Sequence, residues 1–379
     1  MKKKWIVLGV LLALLTAAAA VGISNLSRED YGSLSGWRRS AYAILFRDRI
    51  MAGEYKGSVS EEKWTPENEY SLEDTFILKK DPDKDFVILN FTDFHMGDYQ
   101  YDMPFAIRTF EVLHYLVDKY QPDLVTLSGD QFWTSCPLYS LYWLRDEMDS
   151  LGIPWAFVLG NHDTDGNVDA NFQADVMTAG GRCLFRKGDP EMGCGNYVIN
   201  ICEEKEGTLK PVHSLILMDT HGDGLYEKQI GWYRWAAEGI SHVAGEAVKS
   251  TVIMHIPCIQ FLTAYEEAWD EASGRWKEGY EAFGRRREAI APPEDDDGNP
   301  VDNGLFAAVK EIDTTKNILC GHDHANDYSI LYEGVRLTAS SRVGIGGYYD
   351  VDCMGATMLT INSEGEVSVR HVHRFPTDE

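Results

Sequence analysis

The sequence predicts an α/β fold, and three observations carry that expectation. From residue 85 onward, short apolar runs of strand length alternate with segments whose apolar residues recur at helical spacing. Several of these runs end directly in a side chain able to bind a metal. The tail from Ile330 to Val372 is rich in β-branched residues and glycines, the composition of strands and turns. Hydrophobic residues make up 44% and charged residues 25% of the 379, enough apolar material for a sizeable core.

The chain opens with Lys2, Lys3 and Lys4 before an uncharged apolar run from Trp5 to Ile23, the arrangement of a secretory segment. The run is long enough to span a bilayer as a helix, and Ala17 to Ala20 offers small residues at a cleavage position. The expectation is a signal peptide or a single N-terminal membrane anchor over 1–23. Both put the body of the protein outside the cytoplasm, secreted or anchored. Residues 24–84 read as a connecting and packing segment, with an amphipathic helix expected over 37–51.

From there the elements come in order. Phe86 to Phe91 is a buried strand. Ile107 to Tyr120 is a helix ended by Gln121-Pro122-Asp123. Leu124 to Leu127 is the next strand, Leu138 to Leu151 a helix, and Pro154 to Leu159 a third strand. Later strands are expected at Ser214–Met218, Ser250–Met254 and Asn317–Leu319. The stretch from Tyr265 to Asn303 reads as a helical piece followed by an exposed acidic loop. Residues 85–379 are thus assigned to one catalytic-type domain. The seven cysteines show no C-x-x-C spacing; mostly free, buried thiols are expected, with Cys183 and Cys194 close enough in sequence to pair in an oxidising compartment.

The chemistry is carried by the residues at the end of each strand. Phe86–Phe91 leads to Asp93-Phe94-His95, Leu124–Leu127 to Gly129-Asp130, and Pro154–Leu159 to Gly160-Asn161-His162-Asp163. Ser250–Met254 leads to His255, and Asn317–Leu319 to Gly321-His322-Asp323-His324. In an open α/β sheet, ligands bind beyond the carboxyl ends of the strands, so five loops far apart in sequence can converge there. Carboxylate, imidazole and amide oxygen suit Mn, Fe or Zn. Two such ions can grip a phosphate and acidify a water. Glycines before Asp130, Asn161 and His322 are expected to let the backbone turn sharply. The formal charge of -25, from 60 acidic and 35 basic residues, argues against nucleic acid as a partner.

The ordered set Asp-x-His, Gly-Asp, Gly-Asn-His-Asp, a lone His and Gly-His-x-His resembles the calcineurin-like metallophosphoesterase superfamily over about residues 85–330. That resemblance implies two facing mixed β-sheets flanked by helices and a dinuclear centre of divalent or mixed-valence ions (Mn, Fe or Zn). It implies Asp93, His95 and His324 on the first ion, Asn161, His255 and His322 on the second, and Asp130 bridging both. His162 would be the catalytic acid, acting on a phosphate ester attacked by a metal-bound hydroxide. The segments His255-Ile256-Pro257, Asn303-Gly304-Leu305-Phe306, Gly321 to Asp327 and Ser341-Arg342 are similar to a purple-acid-phosphatase-like branch that includes dosage-dependent cell-cycle regulator phosphatases. Trp133 stands where purple acid phosphatases place a tyrosine, so no tyrosinate-iron colour is implied. Arg342 is a candidate contact for substrate phosphate or a structural ion-pair partner, and Asp163 and Asp323 are candidates to orient the neighbouring imidazoles. The function expected is a phosphomonoesterase. The alternatives are a phosphodiesterase or nucleotide pyrophosphatase of the same fold, and a cell-surface protein whose metals are only structural.

Overall fold

The structure, a computed structural model, describes residues 37–45, 47–97, 99–205, 207–345 and 348–374. The basic and apolar segment at 1–23 lies outside the described residues. Among the described residues no helix is long and apolar enough to cross a membrane.

The chain divides into a unit ending at Glu54 and a unit spanning Tyr55–Glu379. In the first, α1 (Trp37–Leu45) and α2 (Arg47–Met51) occupy the stretch expected to be helical. Tyr42, Ala43 and Ile50 are buried there, and Arg39 is buried with them.

The second unit contains two mixed sheets. Its strands are β1 (Phe76–Lys79), β2 (Phe86–Phe91), β3 (Leu124–Ser128), β4 (Trp155–Val158), β5 (Cys183–Leu184), β6 (Tyr197–Lys205), β7 (Thr208–Leu217) and β8 (Lys249–Ile253). They continue with β9 (Trp269–Asp270), β10 (Arg275–Trp276), β11 (Ala282–Phe283), β12 (Thr315–Cys320), β13 (Ser329–Tyr332), β14 (Val335–Ala339), β15 (Gly355–Ile361) and β16 (Val367–His373). One sheet has six strands in the order β16-β15-β2-β3-β4-β5, the other eight in the order β1-β6-β7-β8-β12-β14-β13-β11. β2 to β5 run parallel, as do β7, β8, β12 and β14, while antiparallel pairs join β15 and β16 to β2, β6 to β7, and β13 and β11 to β14. The helices of this unit are α3 (Tyr99–Tyr120), α4 (Leu138–Ser150), α5 (Ala170–Thr178), α6 (Glu227–Ala244), α7 (Ile259–Ala268) and α8 (Leu305–Ile312).

Every residue of β3 and β4 is buried, which is why both read as unbroken apolar runs rather than alternating ones. Side-chain hydrogen bonds join the sheets. Asn90 on β2 donates to Ser128 Oγ and to Ser340 Oγ, just past β14, both at 2.9 Å. The Tyr197 hydroxyl of β6 donates to the Phe157 carbonyl of β4 at 2.7 Å. A buried network with its donors and acceptors paired fixes one alignment where an apolar contact would tolerate several.

Three features differ from the sequence expectation. Residues 55–84 do not merely connect, because β1 pairs in parallel with β6. β6 is itself an addition: its run Tyr197 to Cys202 is followed by Glu203, Glu204 and Lys205, and the antiparallel β6–β7 hairpin carries the strand through these charged residues. The helical piece expected from Tyr265 lies earlier, at Ile259–Ala268, and Trp269 turns the chain into the β9–β10 hairpin. All seven cysteines are free, Cys183 and Cys194 included.

Candidate metal centre

The strand-end residues Asp93 and His95 (after β2), Asp130 (after β3), Asn161 and His162 (after β4), His255 (after β8), and His322 and His324 (after β12) lie beyond two sets of carboxyl ends, one in each sheet. The structure brings the Asp and His residues among them, His162 apart, into two groups. Asp93, His95, Asp130 and His324, all buried, hold donor atoms within 4.8 Å of one another, and so do Asp130, His255 and His322. Each group therefore takes donors from both sheets. Asp130 belongs to both groups. Its Oδ2 lies 3.2 Å from His95 Nε2 and 3.3 Å from His255 Nε2, and its Oδ1 accepts the His162 amide at 2.9 Å. Asp93 Oδ1 lies 3.6 Å from His95 Nε2 and 3.5 Å from His324 Nε2. Its Oδ2 is anchored by the Thr92 hydroxyl at 2.7 Å and the His322 amide at 3.2 Å.

The backbone is bent for this purpose. Asp93, His95, Asp130 and His322 sit at φ of 54°, 47°, 52° and 76°, the left-handed region that a side chain enters only when its surroundings enforce it. Only one of the three flanking glycines acts as expected: Gly129 has φ 95°. Gly160 and Gly321 are needed for closeness instead. A Cβ on Gly160 would fall 2.2 Å from Asp130 Oδ1, and one on Gly321 2.0 Å from Thr92 Oγ1.

The fit of these residues to a pair of ions shows in their unmet bonding. Asp93 Oδ1, Asn161 Oδ1 and His255 Nε2 are buried without a hydrogen-bond partner. Such groups are costly unless something electropositive completes them. Within the centre the buried carboxylates and imidazoles set one another's charge. Burial pushes the Asp130 carboxyl up, but the charge of His255 and the hydrogen bond and charge of His95 outweigh it and hold it well below the usual range. Burial lowers His255, yet Asp130 beside it raises the imidazole to about 10. His322 and His324, pulled down by burial to about 4 and about 3, are the neutral imidazoles that metal ligation requires. His255 Nδ1 faces the Ser128 carbonyl at 2.8 Å, which aims Nε2 into the centre.

His162 stands at the mouth, with 30% of its side chain exposed, and its Nδ1 pairs with Asp165 Oδ2 at 2.7 Å. Asp165 is a positioning residue that sequence reasoning missed, although an acid three residues past His162 was the available signal. Asp163 does not orient an imidazole. Its carboxylate takes the Gly160 amide at 2.7 Å and the Phe132 amide at 2.8 Å, tying the loop after β4 to the loop after β3. Asp323 accepts the Ala291 amide at 3.3 Å. Arg342 is 1% exposed, with Nε donating to the Asp93 carbonyl at 3.0 Å and Nη1 donating to the Tyr348 carbonyl. It braces the first ligand loop from below.

The sequence model of calcineurin-like phosphoesterases matches residues 86–326. Among curated proteins, the chain is 24% identical over 317 residues to the probable inactive purple acid phosphatase 14 of Arabidopsis thaliana, covering 72% of this chain and 74% of that protein. It is 25% identical over 245 residues to the phosphatase DCR2 of Saccharomyces cerevisiae, covering 59% of this chain and 39% of that one. Among solved structures, a dimetal phosphatase from Danio rerio aligns with 78% of this chain and 98% of its own, at 11% identity and a TM-score of 0.48.

Proposed function

The chain belongs to the calcineurin-like phosphoesterase family, and from that premise we propose that this metallophosphoesterase hydrolyses phosphate monoesters. The observation that carries the reading is the complete pair of ligand groups sharing Asp130, with unmet donor atoms on Asp93, Asn161 and His255. Some relatives are named as probably inactive. Here all six Asp and His ligands are gathered, and Asn161 is present beside them in sequence with a buried, unpartnered oxygen, which supports activity in this chain.

Asp93, His95, Asp130 and His324 would hold one ion, and Asp130, Asn161, His255 and His322 the other. When bound, two ions of Mn, Fe or Zn supply charge that polarises the phosphoryl group and acidifies a water. The protein's own residues do the rest. Asp165 holds His162 through Nδ1, leaving Nε2 as the ring nitrogen able to pass a proton to the departing oxygen. The His162 amide locks Asp130 Oδ1, so that Oδ2 keeps its place between the groups. Trp133 packs against the His162 ring at 5.1 Å and restricts its swing.

The test is hydrolysis of an aryl phosphate monoester and the matching diester, with and without manganese, alongside His162→Ala and Asp130→Asn. Metal-dependent monoester turnover that falls at least a hundredfold in His162→Ala is expected, an effect of the order general acid catalysis supplies, roughly 10²–10⁴. Asp130→Asn is expected to lose both metal and rate. Turnover of the diester alone would move the assignment to a phosphodiesterase, and full rate in Asp130→Asn would refute the shared carboxylate. Two bound metals without hydrolysis of either ester would favour a structural metal protein.

We also propose that the body works outside the cytoplasm, secreted or held by residues 1–23. The basic start and the apolar run Trp5–Ile23 support this. The N-terminus of the native protein, read by mass spectrometry, separates cleavage near Ala20 from retention, and recovery of the intact chain in the cytosol would refute export.

A further inference from the structure

The mouth of the metal centre is walled by rings. Trp133 lies 5.1 Å from the His162 ring, tilted 33°, and 5.1 Å edge-on from the His95 ring. His95 and His324 are 4.4 Å apart, and Tyr348 lies 4.3 Å from His324 at 31°. The inner imidazoles of His95 and His324 are each 5% exposed, whereas the outer rings are open to solvent, Trp133 at 45% and Tyr348 at 55%.

Both outer rings are fixed to the ligand loops. The Trp133 amide donates to the Met96 carbonyl at 3.3 Å, one residue beyond His95, and the Met96 amide donates to the Gln131 carbonyl at 2.9 Å, one residue beyond Asp130. The Tyr348 carbonyl receives Nη1 of the buried Arg342, whose Nε holds the Asp93 carbonyl at 3.0 Å. The Tyr348 hydroxyl is engaged with Glu288. Large aromatic rings held rigidly, with one side on an imidazole and the rest in water, leave apolar area uncovered beside the reacting centre.

From this geometry we propose that Trp133 and Tyr348 bracket the leaving group, and that the substrate is a phosphate ester of a planar, aromatic or heteroaromatic group. The inference rests on the phosphomonoesterase reading and supplies its substrate class. A ring attached through the oxygen that His162 serves lies beside Trp133, where aromatic contact adds selectivity of roughly two- to tenfold over an alkyl group of similar size. Neither residue is expected to bind metal.

The experiment is calorimetric binding of benzylphosphonate and cyclohexylmethylphosphonate, matched in size and each with a methylene in place of the ester oxygen, to the manganese-loaded full chain, which reads recognition without requiring turnover. The wild type is expected to prefer the aryl compound about fivefold to tenfold. Trp133→Ala is expected to bring the two affinities within a factor of two, a ratio in which any loss of manganese or phosphate binding cancels because it weakens both compounds alike, and Trp133→Phe to keep most of the preference. Tyr348→Ala, an independent variant at the opposite wall, is expected to lose part of it. Equal affinities in the wild type, or an unchanged ratio in both alanine variants, would overturn the proposal. Aryl preference without hydrolysis of any monoester would sink the phosphomonoesterase reading and leave this one standing. Hydrolysis of monoesters without aryl preference would do the reverse.

Discussion

Asp130 divides its carboxylate between scaffold and chemistry, Oδ1 to the His162 amide and Oδ2 to the space between His95 and His255. Its chemical type was legible in the sequence because it comes after a strand and a glycine. That one of its oxygens faces both groups was not legible, since it depends on backbone geometry at φ 52°. Arg342 shows the opposite limit. Its guanidinium suits phosphate, but its burial and its two carbonyl partners come from the folded arrangement of loops rather than from its neighbours in sequence. Away from the centre, His213 gives a residue-scale prediction. It is buried, with Nδ1 at 3.0 Å from the Gly365 carbonyl and Nε2 at 3.0 Å from Thr251 Oγ1, and burial lowers it from 6.5 to about 4. A lowered histidine is neutral in the folded state while the unfolded chain takes up the proton. Its stabilising contribution is therefore intact above pH 6.5 and is lost as pH falls toward 4, by about 3 kcal/mol for this shift. Denaturant titrations in the presence of chelator should show the wild type losing that much more than His213→Gln across this window. Parallel pH curves would show that the folded and unfolded states bind the His213 proton equally, so that burial does not lower it.

At the scale of elements, what the sequence disclosed was the set of strands buried on both faces. β2, β3 and β4 leave largely apolar signatures, β8 and β12 end in short apolar runs, and each delivers its ligand loop at the carboxyl end. Strands at the periphery were harder to read. β1 alternates half-buried and exposed residues, and β5 has only two residues, so neither carries a local pattern distinguishable from a loop. Two glycines of the ligand loops serve a purpose that their sequence neighbours do not reveal. Gly160 and Gly321 keep room for Asp130 and Thr92 rather than supplying an unusual turn. Gly160→Ala should therefore act on the neighbouring carboxylate. Its Cβ, 2.2 Å from Asp130 Oδ1, must displace that oxygen or the loop. The expected outcome is a loss of thermal stability worth about 1–3 kcal/mol, as for other overpacked sites, with at least a tenfold weaker manganese affinity by calorimetry. Wild-type affinity in this variant would mean that the two loops yield freely.

At the scale of the whole molecule, the ligand groups connect architecture to chemistry. Asp93, His95, Asp130 and Asn161 come from the six-stranded sheet, while His255, His322 and His324 come from the eight-stranded one. Metal removal should therefore be felt as stability and not only as activity. Chelation is expected to lower the melting temperature, and manganese at a hundredfold excess over its dissociation constant to restore about 2.7 kcal/mol for each ion bound. An unchanged melting temperature after verified removal of both ions would show that the sheets hold their alignment unaided.

That shared origin of the ligands has a mechanical meaning. Two ions seated there would act as rivets through both layers, and any sliding of one layer on the other would open the ligand shells before a single rung of either ladder broke. Catalytic rate would then serve as a strain gauge for the body of the protein. Substitutions far from the mouth that shear the layers, such as at Asn90 or Tyr197, would register as lost turnover while the spectroscopic signature of the sheets stayed intact.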